Sequence, residues 1–324
     1  MIITRTPFRL SFVGGGSDLP SYYKNAMGSV ISVAINRYMY VSVNRSFSKS
    51  IRLAYSKVEI CQEFSELRHP LVRESAKLIG FNDHVEITST ADIPSVGSGL
   101  GSSSAFTVGL LNALAHYKSH PRSKYELADL ACQVELEYCN QPIGKQDQFA
   151  TSFGGCNMFN FNTDGSVEQI KVAIPNSAES RFLNSLLVFY TGVPRSAASV
   201  LSSQDETTKL GINNSALTEM VKLVPDFRDH LCKGNIKECG QILHNNWMLK
   251  KTLASNISND TIDEIYQEGL NAGAFGGKLL GAGNGGFIMF MAPPEQHEYI
   301  KSRLHKLESH KWALDKCGSK VIYG

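Results

Sequence analysis

The sequence lacks the features of a nucleic-acid-binding or membrane-spanning protein. Its 32 Lys and Arg residues are almost balanced by 30 Asp and Glu residues, so the formal net charge is only +2. A surface for nucleic acid or for a membrane needs a clustered basic excess, which this balance does not indicate. No window is apolar over the length of a membrane span, and the first residues show no basic region followed by an apolar run. We therefore expect a cytoplasmic protein without a nucleic-acid or membrane partner.

Cysteines are few and show no organised spacing. The 7 cysteines are an odd number without a Cys-x-x-Cys pair. Several lie among apolar residues of predicted helices or strands, so we expect most of them to be reduced core residues. With 42% hydrophobic residues, the 324-residue chain is long enough for a large core and for two domains.

Two common nucleotide-binding signatures are missing from the glycine-rich stretch at residues 93–105. Its sequence, IPSVGSGLGSSSA, has no Gly-Lys-Ser/Thr ending of a Walker A motif and no dinucleotide-binding Gly-x-Gly-x-x-Gly, which argues against an NAD enzyme. The stretch does place spaced glycines directly before three serines. Glycines allow backbone N–H groups to turn inward, and a helix starting near the serines adds the positive end of its dipole. We predict a loop that holds a phosphate mainly through main-chain groups.

A flexible serine–glycine linker is the alternative interpretation of this stretch. The flanking residues argue against it. Residues 85–88 alternate like a strand, and residues 106–117 have the apolar pattern of a helix buried on most sides. A linker does not normally join a strand to a core helix.

A second glycine-rich segment lies near the start of the chain. Arg9 is in a predicted strand that runs into the triple glycine at residues 14–16, where the chain must turn tightly and a ligand can approach the backbone. Asp18, just beyond the turn, is suited to accept hydrogen bonds from two vicinal hydroxyl groups. Alternatively, Asp18 caps a helix that begins near residues 19–20.

Two carboxylates in the middle of the chain are candidate catalytic groups. Glu135 lies on a predicted amphipathic helix over residues 125–139. Pro142 and Gly144 end this helix, and Asp147 follows. Close to bound phosphates, one carboxylate can hold Mg²⁺ while the other orients or deprotonates an attacking hydroxyl. The alternative is surface charge on a helix and on a loop.

The pattern changes near Arg195 from strands to helices, so we place a domain boundary there. Arg195 precedes a predicted helix and can form a forked contact with a phosphate, although an ordinary exposed arginine is the alternative. A predicted buried strand at residues 186–190 comes before it. The predicted helices cover residues 197–210, 215–232, 236–252 and 261–274.

A third glycine-rich segment covers residues 276–286 and contains six glycines. A tight hairpin needs only one or two glycines. We therefore expect this backbone to pack closely against another loop or a ligand. A helical tail over residues 295–310 is predicted to close the domain.

The three glycine-rich segments, in this order, resemble the GHMP kinase superfamily over nearly the whole chain. The matching motifs are Pro-x-Arg at Pro7 and Arg9, Gly-Leu-Gly-Ser-Ser-Ser-Ala at residues 99–105 and Gly-Ala-Gly-x-Gly-Gly at residues 281–286. One such match is weak evidence, whereas three in register are strong.

The resemblance implies an α+β fold with two domains. Residues 1–195 would form an N-terminal domain like the second domain of ribosomal protein S5, and residues 196–324 a ferredoxin-like C-terminal domain. It also implies ATP as phosphate donor and Mg²⁺ as cofactor. The residues implied to bind the phosphates of ATP are Gly97, Gly99, Leu100, Gly101, Ser102, Ser103 and Ser104.

Within the superfamily, Glu135 and the Gly-x-x-Asp-Gln at residues 144–148 resemble the sugar 1-kinase branch. This resemblance implies that Ser103 and Glu135 bind Mg²⁺. It also implies that Asp147 is the base and that Arg9 lies near Asp147 and the transferred phosphoryl group.

The implied acceptor is a sugar phosphate. Galactokinases carry Gly-Glu-His-Thr-Asp where this chain has Gly-Gly-Gly-Ser-Asp at residues 14–18, and a missing carboxylate makes room for a larger or anionic substrate. The run over residues 14–23, with Thr-Gly-x-x-Arg-x-Ala at residues 191–197, resembles kinases that phosphorylate the anomeric hydroxyl of D-glycero-D-manno-heptose 7-phosphate for GDP-heptose biosynthesis. The implied acceptor-binding residues are Gly15, Gly16, Ser17, Asp18, Arg195 and Gly283.

Two other functions are compatible with the sequence. One is an anomeric kinase of an unphosphorylated sugar such as fucose or galactose, and the other is a GHMP-fold protein that only senses ligands. The joint presence of Arg9, Ser103, Glu135 and Asp147 favours an enzyme over a sensor. The sequence leaves both a monomer and a homodimer open.

Overall fold

A computed structural model describes residues 1–93, 97–192 and 197–324. The predicted phosphate ligand Arg195 therefore lies outside the described residues. The strands are, in chain order, β1 (Ile2–Val13), β2 (Gly28–Arg45), β3 (Ile51–Ala54), β4 (Val58–Cys61), β5 (Val85–Ala91), β6 (Cys156–Phe161), β7 (Val167–Lys171), β8 (Leu186–Tyr190), β9 (Gly276–Leu279), β10 (Phe287–Met291), β11 (Glu308–His310) and β12 (Lys320–Tyr323).

Helices connect and cover these strands, so the chain mixes the two kinds of element throughout. Short 3₁₀ turns occur at Phe64–Glu66 and Pro294–Gln296, and a π-helical turn at Gln133–Tyr138 extends one helix. The α-helices are α1 (Pro20–Tyr23), α2 (Pro70–Leu78), α3 (Ser102–Tyr117), α4 (Lys124–Cys132), α5 (Gln146–Phe153), α6 (Asn176–Ser185), α7 (Ala197–Lys209), α8 (Asn214–Lys233), α9 (Ile236–Lys251), α10 (Asp260–Asn271) and α11 (His297–Arg303).

The larger sheet is organised around the long strand β2. Its strand order is β12-β1-β2-β5-β3-β4, and β6 and β7 extend it through pairing of β6 with β2. All these pairs are antiparallel except β3 with β5. The first half of β2 pairs with β6 and the second half with β5. β2 is one continuous strand along both partners, and its register against β1 shifts between Pro7 and Phe8.

The smaller sheet has the order β11-β8-β10-β9 and is antiparallel. The division predicted at residue 195 stays a prediction, but the sheets do not follow it. β8 lies before residue 195 and pairs within the smaller sheet, while β12 returns to the edge of the larger sheet beside β1. The predicted helical tail is wrong in its last part, because α11 ends at Arg303 and β11 follows as a strand against β8.

Helix α3 is buried on nearly all sides, as the sequence predicts. It packs on β1 and β2, and Gly109 allows the close approach, because an added Cβ would lie 2.8 Å from Thr6 Oγ1. Leu110, Leu111 and Leu114 are at most 1% exposed, and full burial of each such side chain contributes about 1.5–3 kcal/mol. This packing fixes the position of the N-terminus of α3.

Two expectations from composition can be compared with the fold. No helix in the described ranges is long and apolar enough to cross a membrane. All seven cysteines are free: Cys132, Cys156 and Cys239 are buried in the core, Cys61, Cys139 and Cys232 are partly buried against it, and Cys317 is exposed. The cytoplasmic location stays a prediction.

Candidate active site

The central glycine-rich loop joins β5 to α3, so the predicted strand–loop–helix arrangement is confirmed. Gly97, Gly99 and Gly101 have φ values of +73°, +76° and +76°, a region that L side chains seldom adopt. Gly101 is the residue before the first turn of α3. The loop thus leads the chain into a helix N-terminus, where N–H groups without helical partners favour an anion.

The third glycine-rich segment packs directly against this loop, as its excess of glycine predicts. A Cβ on Gly286, whose φ is +95°, would lie only 2.7 Å from the carbonyl oxygens of Gly97 and Ser98. Gly283 is similarly close to Ile257, because its Cβ would lie 2.7 Å from that carbonyl oxygen. The backbone of the third segment at Gly286 therefore lies directly against the backbone of the central loop.

Arg9 and Asp147 form a forked ion pair beside the loop. Arg9 Nε donates to Asp147 Oδ1 and Nη2 donates to Oδ2, both at 2.7 Å. The remaining Arg9 Nη1 donates to the carbonyl oxygen of Gly99 at 2.7 Å. The Arg9 side chain is 4% exposed and that of Asp147 is 27% exposed. The guanidinium therefore links the carboxylate to the loop, while one face of the carboxylate stays open.

Glu135 is fully buried, so the interpretation of Glu135 and Asp147 as surface charge is wrong. The π-helical turn places its carboxylate behind the serines of the loop. Ser103 Oγ donates to Oε1 at 2.6 Å and Ser104 Oγ donates to Oε2 at 2.7 Å. Thr107 and Gln148 add two further donors. Burial raises the pKa of Glu135, and these hydrogen bonds oppose that shift by favouring the carboxylate.

Asp18 faces the same space from the triple-glycine turn. Its Oδ1 accepts from the N–H of Gly16 at 2.9 Å and its Oδ2 from the N–H of Gln146 at 3.2 Å. Burial raises the pKa of Asp18. Leu19 is the N-cap residue of α1 and no side chain caps that helix, so the alternative in which Asp18 caps it is wrong. Gly144 must be glycine here, because its Cβ would overlap Asp18 Oδ2.

A cavity of about 560 Å³ lies between the loop, the triple-glycine turn and the third glycine segment. Most of the residues predicted from the sequence meet at this cavity. Those that line it are Arg9, Gly15, Gly16, Asp18, Gly97, Gly99, Gly101, Ser102, Ser103, Ser104 and Asp147.

Other predicted residues do not line the cavity. Ser17 is 0% exposed. Its hydroxyl donates to the carbonyl oxygens of Gly14 and Ser29 and accepts from the N–H of Ser29, so these hydrogen bonds close the turn. Leu100 is fully buried, and its carbonyl oxygen accepts from the N–H of Arg9. Glu135 and Gly283 are not among the residues that line the cavity. The prediction that Ser17 contacts the acceptor is therefore wrong, because its polar atoms serve the turn.

Two lysines at the cavity were not predicted. Lys250 at the end of α9 is 5% exposed and Lys278 in β9 is 3% exposed, and both line the cavity. Lys278 had a local signal, because it is the one charged residue in an otherwise glycine-rich and apolar segment. Lys250 had none, since the neighbouring Lys251 is equally basic and forms an ion pair with Asp263 instead.

Comparisons with known proteins give a consistent picture. The GHMP kinases N-terminal domain family matches residues 67–155, and the GHMP kinases C-terminal family matches residues 227–308. A D-glycero-alpha-D-manno-heptose 7-phosphate kinase from Campylobacter jejuni is 29% identical over 95% of this chain and 94% of its own length. A galactokinase from Thermococcus kodakarensis is 28% identical over 87% of this chain and 86% of its own length.

A solved structure is similar along its whole length. It is described as a D-glycero-D-manno-heptose 1-phosphate kinase from Bacteroides thetaiotaomicron, and it superposes with a TM-score of 0.82 at 25% identity, covering 100% of both chains. The two heptose-phosphate relatives thus agree on the sugar in their names and differ in the position of its phosphate.

Proposed function

The chain belongs to the GHMP kinase family, and on that premise we propose that it phosphorylates the anomeric hydroxyl of D-glycero-D-manno-heptose 7-phosphate. The family matches confirm the α+β kinase fold expected from the sequence. The protein is a phosphotransferase with an alcohol acceptor, and its phosphate donor is ATP. The product would be the 1,7-bisphosphate, an intermediate for GDP-heptose.

The observation that carries this proposal is the position of the Arg9–Asp147 pair. Arg9 is bound to the loop through Gly99, and the helix that starts with Gln146 and Asp147 also donates a backbone N–H to Asp18. The partly exposed carboxylate of Asp147 therefore lies between the predicted phosphate loop and the predicted sugar-binding carboxylate. An acceptor hydroxyl held by Asp18 would be delivered to Asp147.

Transfer would proceed in line. The anomeric oxygen forms a bond to the γ-phosphorus, the bond from that phosphorus to the ADP oxygen breaks, and Asp147 accepts the hydroxyl proton. Such transfer depends mainly on positioning and on neutralising charge. Backbone N–H groups of residues 97–104 and the guanidinium of Arg9 would supply most of the charge stabilisation.

The oxygen ligands near the loop fit Mg²⁺. Among the residues described, no group of three or more His, Cys, Asp or Glu side chains can hold a metal alone. Mg²⁺ is commonly bound by one or two carboxylates together with substrate phosphates, and Ser103 and Glu135 offer a hydroxyl and a carboxylate oxygen 2.6 Å apart. We propose that these two residues hold the ion, which would neutralise charge on the phosphates. Ser104 and Gln148 would orient the carboxylate.

The heptose assignment draws on the relatives from Campylobacter jejuni and Bacteroides thetaiotaomicron. Arg195 is retained as a proposed ligand of the distal phosphate on sequence grounds. The rival acceptor is an unphosphorylated sugar, which the galactokinase relative favours. A sensor without activity is the less favoured alternative, since Arg9 and Asp147 form a forked ion pair that lines the cavity and is bound to the glycine loop at Gly99.

A panel of acceptors tests the proposal. Purified protein with Mg-ATP is assayed for ADP release with heptose 7-phosphate, heptose 1-phosphate, heptose, galactose, fucose and mevalonate, and the product is examined by ³¹P NMR. We expect the highest kcat/KM with heptose 7-phosphate and a new phosphorus signal coupled to the anomeric proton. Faster turnover of a neutral sugar, or a phosphate added at another carbon, would contradict the assignment.

A further inference from the structure

Two buried lysines have no role in the reaction described above. Lys250 comes from α9 and Lys278 from β9, and both side chains border the cavity near the triple-glycine turn. Lys250 Nζ donates to Gln204 Oε1 at 2.7 Å and to the carbonyl oxygen of Gly15 at 3.4 Å. Lysine side chains are seldom buried without a function or an ion pair.

Lys278 is surrounded by neutral oxygens instead of a carboxylate. Its Nζ donates to the carbonyl oxygens of Ser11 and Phe12 at 3.0 and 3.2 Å. It forms no ion pair with any carboxylate in the part of the chain that the structure describes. An ammonium has three donors, so two carbonyl oxygens leave one N–H for a ligand in the cavity.

The charges near Lys278 are mostly positive. Burial lowers the pKa of Lys278 to about 7, and the next causes are the positive charges of Lys250 and Arg9, while only Asp18 acts in the opposite direction. Arg9 already binds Asp147 through two hydrogen bonds. Positive side chains that are buried close together destabilise one another, and a bound anion would remove this cost.

A buried hydrogen-bond donor near this end of the cavity has no acceptor among the described residues. Gln204 is fully buried and its Oε1 is held by Lys250, which fixes the amide orientation. Its Nε2 has no acceptor among the described residues. It lies beside Gly16, where an added Cβ would come within 2.4 Å of it. An incoming group with several acceptor oxygens would complement this region.

We propose that Lys250 and Lys278 bind an anionic substituent of the acceptor, such as a phosphate ester, at the triple-glycine end of the cavity. The inference rests on the proposed function to the extent that the acceptor is a sugar phosphate. The phosphates of ATP are a less suitable partner, because Lys250 Nζ contacts the triple-glycine turn at the carbonyl oxygen of Gly15. Two charge-assisted hydrogen bonds to one phosphate would give strong discrimination against the neutral sugar.

Pairs of acceptors that differ only in a terminal phosphate test the inference. The wild-type protein, Lys250→Met and Lys278→Met are each assayed with three pairs of acceptors. The pairs are heptose and heptose 7-phosphate, mannose and mannose 6-phosphate, and galactose and galactose 6-phosphate. The ratio of kcat/KM within a pair should fall roughly 10- to 100-fold in each variant, as loss of a hydrogen bond to a charged group implies, with the KM of ATP nearly unchanged.

Two further variants separate charge from structure. Lys251→Met removes the adjacent lysine that binds Asp263 and should leave the ratio unchanged. Lys250→Arg keeps the charge and should retain most of the preference for the phosphorylated acceptor. A thermal unfolding curve of each variant checks that it is folded. The two lysines are replaced in separate variants, so each is tested independently of the other.

The possible outcomes distinguish this inference from the heptose assignment. If a phosphorylated sugar other than heptose 7-phosphate is preferred and the preference is lost in Lys250→Met, the inference stands and the heptose assignment fails. If heptose 7-phosphate is preferred and neither variant changes the ratio, the inference fails and the assignment stands. Equal turnover of both members of every pair by the wild-type protein, or a rise in the KM of ATP alone, would also overturn the inference.

Discussion

Arg9 and Asp147 are 138 positions apart in the chain, yet their side chains meet through two parallel hydrogen bonds of 2.7 Å each. The third arm of the guanidinium reaches the carbonyl oxygen of Gly99. A single side chain from β1 thus fixes both the carboxylate of α5 and the loop before α3. This relationship makes the arginine a positioning group as well as a charge in the cavity.

Replacing Asp147 by Asn is expected to lower kcat by roughly 10²- to 10⁴-fold, the usual contribution of a general base. The amide keeps the shape of the carboxylate but removes the charge that Arg9 binds. Steady-state ADP release measures the effect. Asp164→Asn, in the exposed turn between β6 and β7, is the matched control and should retain normal turnover. Near-normal kcat in Asp147→Asn would refute its proposed role.

Replacing Arg9 by Lys is expected to reduce kcat even though the charge is kept. A lysine ammonium cannot reproduce the planar fork to Asp147 and the separate bond to Gly99. We expect a loss of at least roughly 10-fold, in line with one or two charged hydrogen bonds. Arg122→Lys serves as control, since that side chain is 46% exposed and has one ion pair with Glu126. Comparable losses in both variants would argue against a specific role for Arg9.

Replacing Glu135 by Gln tests the proposed Mg²⁺ site through binding as well as activity. Calorimetric titration of ATP with and without Mg²⁺ gives the contribution of the ion to nucleotide affinity. The change should weaken the Mg²⁺-dependent part by roughly 10- to 100-fold, as for other metal-site substitutions. Affinity for ATP without Mg²⁺ should change little. An unaltered Mg²⁺ dependence would exclude Glu135 as a ligand.

Replacing Gly286 by Ala is expected to raise the KM of ATP and to lower the melting temperature. The new Cβ would lie 2.7 Å from the carbonyl oxygens of Gly97 and Ser98, which must move. Gly80→Ala is the control, because Gly80 also has a positive φ of +66° but has nothing within 4 Å of its Cβ position. Both substitutions place a side chain at a positive φ, so both strain the backbone. A rise in the KM of ATP in the Gly286 variant alone would therefore result from its contact with the loop.

Replacing Lys278 by Met is expected to raise the melting temperature most below about pH 7. The pKa of Lys278 is about 7 in the folded chain and 10.5 when exposed, because of burial and the charges of Lys250 and Arg9, which Asp18 opposes. Below about pH 7 the ammonium is charged in both states, so the full cost of burying it is present. As the pH rises towards 10.5 the folded state loses the proton first, and the wild-type protein gains stability relative to the variant.

Melting curves of both proteins over this pH range check the prediction. The difference in melting temperature should shrink steadily as the pH increases. A difference that does not change with pH would mean that Lys278 is not a buried cation in the folded protein.

Local sequence was sufficient to predict the glycine loop and its flanking elements. Gly97, Gly99 and Gly101 have positive φ angles, which glycine adopts more readily than any other residue. The apolar pattern before and after the loop predicted β5 and α3. The surplus glycines at residues 276–286 predicted a close backbone contact, and Gly286 makes it.

The sequence was less informative about single polar side chains. Asp18 and Ser17 are adjacent in the chain, yet only Asp18 faces the cavity, because Ser17 is used to close the turn. Lys250 and Lys251 are also adjacent, and rotation by about 100° per residue along α9 places one at the cavity and the other against Asp263.

What the sequence determined by itself is the conformation of the glycine-rich segments and the kinase family, because glycine spacing and apolar periodicity are local properties. The tertiary structure decided which charges meet. Arg9 forms an ion pair with Asp147, Glu135 is buried and accepts a hydrogen bond from Ser103, and Lys278 lines the cavity from β9. Electrostatic environment depends on distance in space and on burial, and neither can be read from neighbouring positions in the chain.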